Sequence, residues 1–386
     1  MNKKYRSFQL IFAVSFALLF SINSFAQDTT LVSGDSLTIH DTSVVAQDST
    51  LFGRDAVKHD TTVVDNNSSA QETNGIGTGS INKTPIVDNG YYVIYPDEFI
   101  FRIYLSSKFA PFTISSSNKQ DLNYKTNSKL ALGAGFTYKA VTLNLAYGFN
   151  FLNPDKGRGT TKGLDLQLHV YAKKWAVDII GAFLRGYYLG PKDYNGLSLS
   201  DYYKRPDLHR NIVGLSVYNI ANPGKFSYRA AFNQKDWQTK SAGSLLYGGE
   251  IFYGILKADS AFVPSWAGAN YVQAGINKIE FFSIGPGIGY AYTLVLSRHF
   301  FITGSAIASI NFNLSTEENG GNTNSKIKVL PGGNYKAALG YNSNTWSITA
   351  ALLGNAVYTG SAVSRKEYFL PTGNVNFVVA KKFGAK

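Results

Sequence analysis

The sequence predicts an all-β protein: a transmembrane antiparallel β-barrel of about twelve strands, with ten to fourteen compatible, behind a disordered N-terminal tail. Three observations predict it. Apolar residues alternate with small or polar ones in runs of roughly 10 to 14 residues, longer than ordinary strands and suited to a tilted bilayer crossing. The residues between them are mostly Gly, Ser, Thr and Asn, which fit a lumen better than an open surface. Aromatic residues reach 14% while charged residues fall to 16%, and Tyr, Phe and Trp gather near the ends of the runs.

Residues 1–26 read as a Sec signal peptide. Lys3, Lys4 and Arg6 precede the apolar stretch Phe8 to Phe20, and Ser24-Phe25-Ala26 places small residues before a cut. That stretch is shorter than the roughly 20 residues of a spanning helix, and no longer one follows. A chain exported in this way is then soluble outside the cytoplasm or crosses a membrane as a closed barrel.

Residues 27–89 read as a disordered, acidic tail rich in Asp, Ser and Thr. From 28 to 89 there are nine acids, three bases and a single aromatic, Phe52. Such a segment buries too little apolar area to offset its chain entropy. A weak alternation at Thr30 and Val32, and the pair Val44-Val45, leaves room for pairing with a partner strand.

Residues 90–386 read as the barrel, with 31 bases against 16 acids. Its clearest run sets Val141, Leu143, Leu145, Tyr147, Phe149 and Phe151 against Thr142, Asn144, Ala146, Gly148 and Asn150. Leu164 to Val170, Leu245 to Ile255, Phe300 to Phe312 and Trp346 to Leu352 repeat the pattern. A soluble sandwich would bury the apolar face against a second sheet, whereas a membrane barrel would show it to lipid.

Strand number follows from the connections. Five read as short (Lys139-Ala140, Lys173 to Trp175, Asn222 to Lys225, Ser297 to His299, Asn342 to Thr345) and six as long (109–128, 153–162, 189–207, around 235–279, 315–327, 360–373). Both 226–234 and 243–256 alternate, and one of them is expected to extend past the bilayer into an outer loop. Val375, Phe377, Val379 and Phe383 resemble the C-terminal strand signal read by the barrel-insertion machinery, although Gly384-Ala385-Lys386 follow.

Two blocks carry a family resemblance. One runs from Asn222-Pro223-Gly224-Lys225-Phe226 through Tyr228-Arg229-Ala230-Ala231-Phe232 to Trp237-Gln238 and Lys240 to Ser244; the other is Ile284-Gly285-Pro286-Gly287 with Gly289-Tyr290-Ala291-Tyr292. Together they resemble the domain-of-unknown-function 4421 family of exported proteins of Gram-negative bacteria. The resemblance implies an uncharacterised outer-membrane barrel over residues 90–386 and supplies no activity or catalytic residue.

The composition excludes several chemistries. With no Cys there is no disulfide scaffold, thiolate nucleophile or Cys-ligated zinc. The five His (His40, His59, His169, His209, His299) show no ligand spacing, so no metal and no cofactor are expected. No G-x-S-x-G elbow or phosphate loop occurs, and Gly285, Gly287 and Gly289 lie on a strand with no helix after them. An outer-membrane lipid hydrolase built on His169 would need a serine and an acid beside it.

Charges placed inward by the two-residue period are the sharper signal. Arg102, Arg229 and Lys336 oppose Asp165, Asp178 and Glu250, with His169 nearby, either as a channel lining or as an internal plug. In the third long connection Arg185, Tyr187, Tyr188, Lys192, Tyr194, Tyr202, Tyr203, Lys204 and Arg205 interleave bases and aromatics, a pattern able to meet lipopolysaccharide.

The expected protein is therefore a bacterial outer-membrane barrel and not an enzyme, structural and envelope-associated or a narrow solute channel. Its tail and C-terminus would lie in the periplasm. The expected partners are outer-membrane lipid and lipopolysaccharide, the insertion machinery and a periplasmic partner for the tail, with no nucleic acid. A docking barrel of an envelope or secretion complex is the second reading.

Overall fold

Phe300–Asn319 states the rule on which the structure is built. Ile310 and Phe312 are 63% and 60% exposed, while Asn311 and Asn313 between them are 4% and 0% exposed. A sandwich would do the opposite, so an outward apolar face over a buried polar one makes the chain a membrane barrel. The structure is a computed structural model that describes residues 41–46, 87–95, 99–116, 121–138, 141–191, 193 and 201–383. Residues 1–26, read from the sequence as a signal peptide, and most of residues 27–89 lie outside the described residues.

Twelve long strands form the wall: β1 Phe99–Phe109, β2 Ala131–Tyr138, β3 Val141–Tyr147, β4 Lys162–Tyr171, β5 Trp175–Leu189 and β6 Tyr203–Ile220, then β7 Ala242–Lys257, β8 Ile276–Leu296, β9 Phe300–Asn319, β10 Asn322–Asn342, β11 Trp346–Ala356 and β12 Thr372–Phe383. Each pairs antiparallel with the next from β4 to β12, β12 pairs with β1, and β1 continues through β2 to β3. β3 and β4 do not pair with each other. Asp41–Ala46 lies between them, antiparallel to β3 over six residues and bridged in parallel to β4 at Thr42–Leu166. The Val44-Val45 pairing option is thus taken up inside the chain's own barrel.

One end of the barrel carries tight turns after β2, β4, β8 and β10 together with the connection 221–241; the other carries the remaining long connections and the β9–β10 hairpin. Two expectations about these connections need correction. Residues 226–234 are not a strand. Tyr228–Phe232 is a short helix, α1, inside a connection from 221 to 241 at the turn end, and β7 is the spanning element that follows. Ala230 and Ala231 favour a helical turn, and Gln234 at φ 55° ends it. Nor is 315–327 a loop. β9 and β10 stay paired out to Asn319–Asn322, and Gly320 and Gly321, at φ 55° and 92°, supply a two-residue hairpin that only left-handed backbone makes. Polar residues on both faces of this extension disguised it as a loop.

Both ends are filled. At the loop end Phe112–Ile114, Leu122–Tyr124, Tyr358–Gly360 and Glu367–Phe369 form a small sheet. It buries Phe112, Tyr124, Phe262, Phe281 and Tyr368 in the largest apolar core of the protein. At the turn end Asp236–Gln238, Tyr92–Ile94 and Val87–Asp88 form a three-stranded sheet beside α1.

Candidate functional site

The lumen between these caps is lined by inward residues of the wall, and its charges are grouped. Lys336 on β10 reaches Asp178 on β5, Nζ to Oδ2 at 2.5 Å. The other Asp178 oxygen meets His169 Nδ1 at 2.6 Å and accepts the Tyr171 hydroxyl at 3.1 Å. The Lys336 ammonium also donates to the Tyr171 hydroxyl at 2.9 Å and lies 4.7 Å from the Tyr171 ring centre and 5.3 Å from that of Tyr228. An ammonium between two ring faces and a carboxylate is well matched, since it has little water left to meet.

Glu250 forms a second group. Its carboxylate accepts Ser309 Oγ at 2.5 Å, Asn311 Nδ2 at 2.8 Å and the Tyr218 hydroxyl at 3.1 Å. Uncharged donors hold this buried carboxylate, with no cation paired to it among the described residues.

Arg229 does not point inward from a strand as the two-residue period predicts. It sits on α1 and pairs with Asp236, Nη2 to Oδ2 at 2.9 Å, while Ser227 Oγ donates to the same oxygen at 2.6 Å. Asp165 is in register with Ala182 on β5, and its side chain lies outside the described residues. Arg102 stands apart from the other charges. It is buried, and Nη2 donates to Thr137 Oγ1 at 2.8 Å and to the carbonyl of Asn233 at 3.3 Å. The structure therefore joins His169, Asp178 and Lys336 and separates Arg102, Arg229 and Glu250 from them.

Helix α1 crosses the lumen. The Tyr228 hydroxyl meets Ser305 Oγ on β9 at 2.5 Å, and its ring packs against Tyr171, Phe226 and Phe232 at 5.3, 5.4 and 5.5 Å between centres. Gln238 ties the connection by donating to the carbonyls of Lys225 and Lys240 and accepting from the Ser227 N–H. Asn342 on β10 donates to the Asp236 carbonyl at 3.0 Å. Between α1 and the wall a cavity of about 80 Å³ is lined by Arg102, Asn144, Gln167, His169, Asn374 and Asn376, among others.

Sequence reasoning missed Glu317, Asp236 and Arg210. Glu317, at the loop end of β9, accepts the Tyr368 hydroxyl and the N–H groups of Ala362 and Val363. Arg210 donates to the carbonyls of Leu370 and Pro371 and to Thr372 Oγ1. Glu317 and Asp236 lie in a polar extension and a connection where no periodic signal marks direction, whereas Arg210 lies on β6 and its alternation runs through that position. In the third long connection Tyr187 and Tyr188 are buried rather than displayed, and Arg158 lies over the rings of Tyr188 and Tyr202. Lys192 and Tyr194 lie outside the described residues. Among the described residues no serine hydroxyl is hydrogen-bonded to His169, and none hold a cluster of three metal-ligating side chains.

An apolar outer wall, a sequential antiparallel meander and a polar lumen define a β-barrel membrane protein. The chain belongs to the family described as Domain of unknown function (DUF4421), whose model matches residues 86–383. No curated protein matches it. Among solved structures it is similar to Neisserial surface protein A, at 13% identity over 74% of this chain and 97% of that one, with a TM-score of 0.20. It is also similar to OmpT, an outer membrane protein of Vibrio cholerae (8% identity, 74% and 100% covered, TM-score 0.25), and to the P. putida toluene transporter TodX (8% identity, 74% and 90% covered, TM-score 0.23). Strand pairing and the apolar outer face, rather than these distant likenesses, make the chain a barrel.

Proposed function

We propose that the protein is a sealed barrel of the bacterial outer membrane with a structural, non-catalytic role in the envelope, rather than an open solute channel. The observation that carries this reading is α1 lying across the lumen, fixed to β9 through Tyr228–Ser305 and beside Lys336 of β10. A pore needs a continuous wet path. Here the turn-end half is taken up by α1 and its aromatic rings, and the loop-end half by the apolar core around Phe112 and Tyr368. The loops and wall would meet lipid and lipopolysaccharide, with the turn end, the tail and the C-terminus in the periplasm.

Planar-bilayer recording of the refolded mature chain tests this. The intact barrel is expected to be silent, and to stay silent when residues 226–238 alone are replaced by a Gly/Ser linker, because the apolar core at the loop end still closes the path. Stable, ion-selective openings of the intact barrel would overturn it.

A further inference from the structure

Arg102 is a buried guanidinium that pairs with no acid among the described residues. Its partners are one hydroxyl and one carbonyl, Thr137 and Asn233, and its Nε–H has no acceptor. Among the described residues Lys336 holds Asp178 and Arg229 holds Asp236, Arg210 donates to two carbonyls and a hydroxyl, and Lys382 donates to an amide oxygen and a carbonyl. The Asp178 carboxylate, beside the lining residues His169 and Tyr171, is already engaged by Lys336, Tyr171 and His169. A buried cation without a counter-charge costs several kcal/mol, so such groups are found paired or hydrated.

Arg102 lines the 80 Å³ cavity, and the polar groups around it are mostly amides, among them Asn144, Gln167, Asn374 and Asn376, with His169 and two tyrosines beside them. Some already bind one another, with Asn374 donating to Gln167 at 2.7 Å and Asn376 to Asn374 at 3.3 Å. At roughly 10–15 Å³ per water-sized occupant, the space takes several waters or one compact ion.

We propose that this chamber binds one small monovalent oxyanion, of the size of nitrate or acetate. A planar guanidinium with a free Nε edge matches a planar oxyanion, and amide groups supply further neutral donors. The net positive charge of the chamber selects the sign, and its volume sets the upper size. The site lies between wall strand β1, which carries Arg102, and Phe232, Asn233 and Gln234 of the α1 connection, and filling it requires no conduction through the barrel.

The test uses the folded mature chain in detergent micelles. Melting is followed across a nitrate or acetate series at constant ionic strength, with gluconate, too large for the chamber, as the balancing salt. A saturable rise in Tm of about 2 °C or more is expected, absent in Arg102→Gln and retained in the lipid-belt control Lys381→Gln. A response that does not saturate, or that Arg102→Gln keeps, overturns the proposal. Should Arg102→Gln fail to fold, equilibrium gel filtration of the wild type in radiolabelled acetate decides: one acetate per chain is expected, and none refutes the site. Either result is separate from conductance, so failure here and failure of the sealed-barrel reading are distinguishable.

Discussion

Lys336 and Asp178 form an ion pair across the lumen, Nζ to Oδ2 at 2.5 Å, with each side chain only 3% exposed. They stand on β10 and β5, far apart around the wall, so the pair braces one side of the barrel against the other. Removing one partner leaves the other charge buried. Lys336→Met is therefore expected to lower unfolding stability by about 3–5 kcal/mol in denaturant titration. The double variant Lys336→Met/Asp178→Leu should recover much of that loss, because two apolar groups leave no orphaned charge. A single variant as stable as the wild type would show that the pair braces nothing.

Glu250 makes a different prediction, because its cage leaves no room. A Cβ on Gly332 of β10 would come 2.3 Å from Asn311 Nδ2, 2.6 Å from Ser309 Oγ and 2.8 Å from Glu250 Oε1. A Cβ on Gly304, on the apolar outer face of β9, would meet nothing within 4 Å. Gly332→Ala should thus cost about 1–3 kcal/mol through crowding of the carboxylate's donors, while Gly304→Ala should be neutral or slightly stabilising. Equal effects of the two, measured by thermal melting in the same detergent, would mean that the Glu250 cage is loose.

These positions mark what was legible in the sequence. The two-residue period gave the wall, and with it the inward placement of Asp178, Glu250, Lys336 and Arg102, because in a barrel the period alone sets the direction of every side chain. It failed at Arg229, where alternation from Phe226 to Phe232 arises from aromatic packing around a helical turn. It also failed at Glu317 and its neighbours, since a strand beyond the bilayer has no apolar face to announce it. The pairing of Lys336 with Asp178 could not be read from either strand, because register and the distance across a lumen are set by the whole ring. Nor does anything local in Phe112 or Tyr368 show that their connections fold together into a cap.

That cap hangs on Glu317. Its carboxylate accepts the Tyr368 hydroxyl at 2.5 Å and the N–H groups of Ala362 and Val363 at 2.9 and 3.1 Å. Burial first, and then the Glu317 charge, push the Tyr368 hydroxyl well above its ordinary pKa, so it stays a donor. Glu317→Ala leaves these donors unpaired, a loss of about 1–3 kcal/mol borne locally by the connection between β11 and β12. Trypsin should then cut after Arg365 or Lys366 several-fold faster than in the wild type, with the wall intact. Unchanged cleavage would place the anchor elsewhere.

The loop end also carries an acid-sensitive contact. Arg205 and Asp207 stand on the part of β6 beyond the apolar belt and make two hydrogen bonds, Nε to Oδ1 at 2.9 Å and Nη2 to Oδ2 at 2.8 Å. Arg205 further donates to the carbonyls of Ala261 at 2.8 Å and Ser260 at 3.0 Å, so the pair pins the connection between β7 and β8. These Arg205 bonds hold the Asp207 carboxyl down at about 2, below its ordinary 3.8. A depressed carboxylate contributes stability that is fully present above the ordinary value and is lost as pH falls through the lowered one. The Tm difference between wild type and Asp207→Asn should therefore hold steady at neutral pH, shrink below 3.8 and vanish near 2. Cleavage in the 258–275 connection should follow the same course under an acid protease, rising in the wild type until it meets the variant. A Tm difference that persists unchanged through this window would mean that Asp207 acts by shape and not by charge.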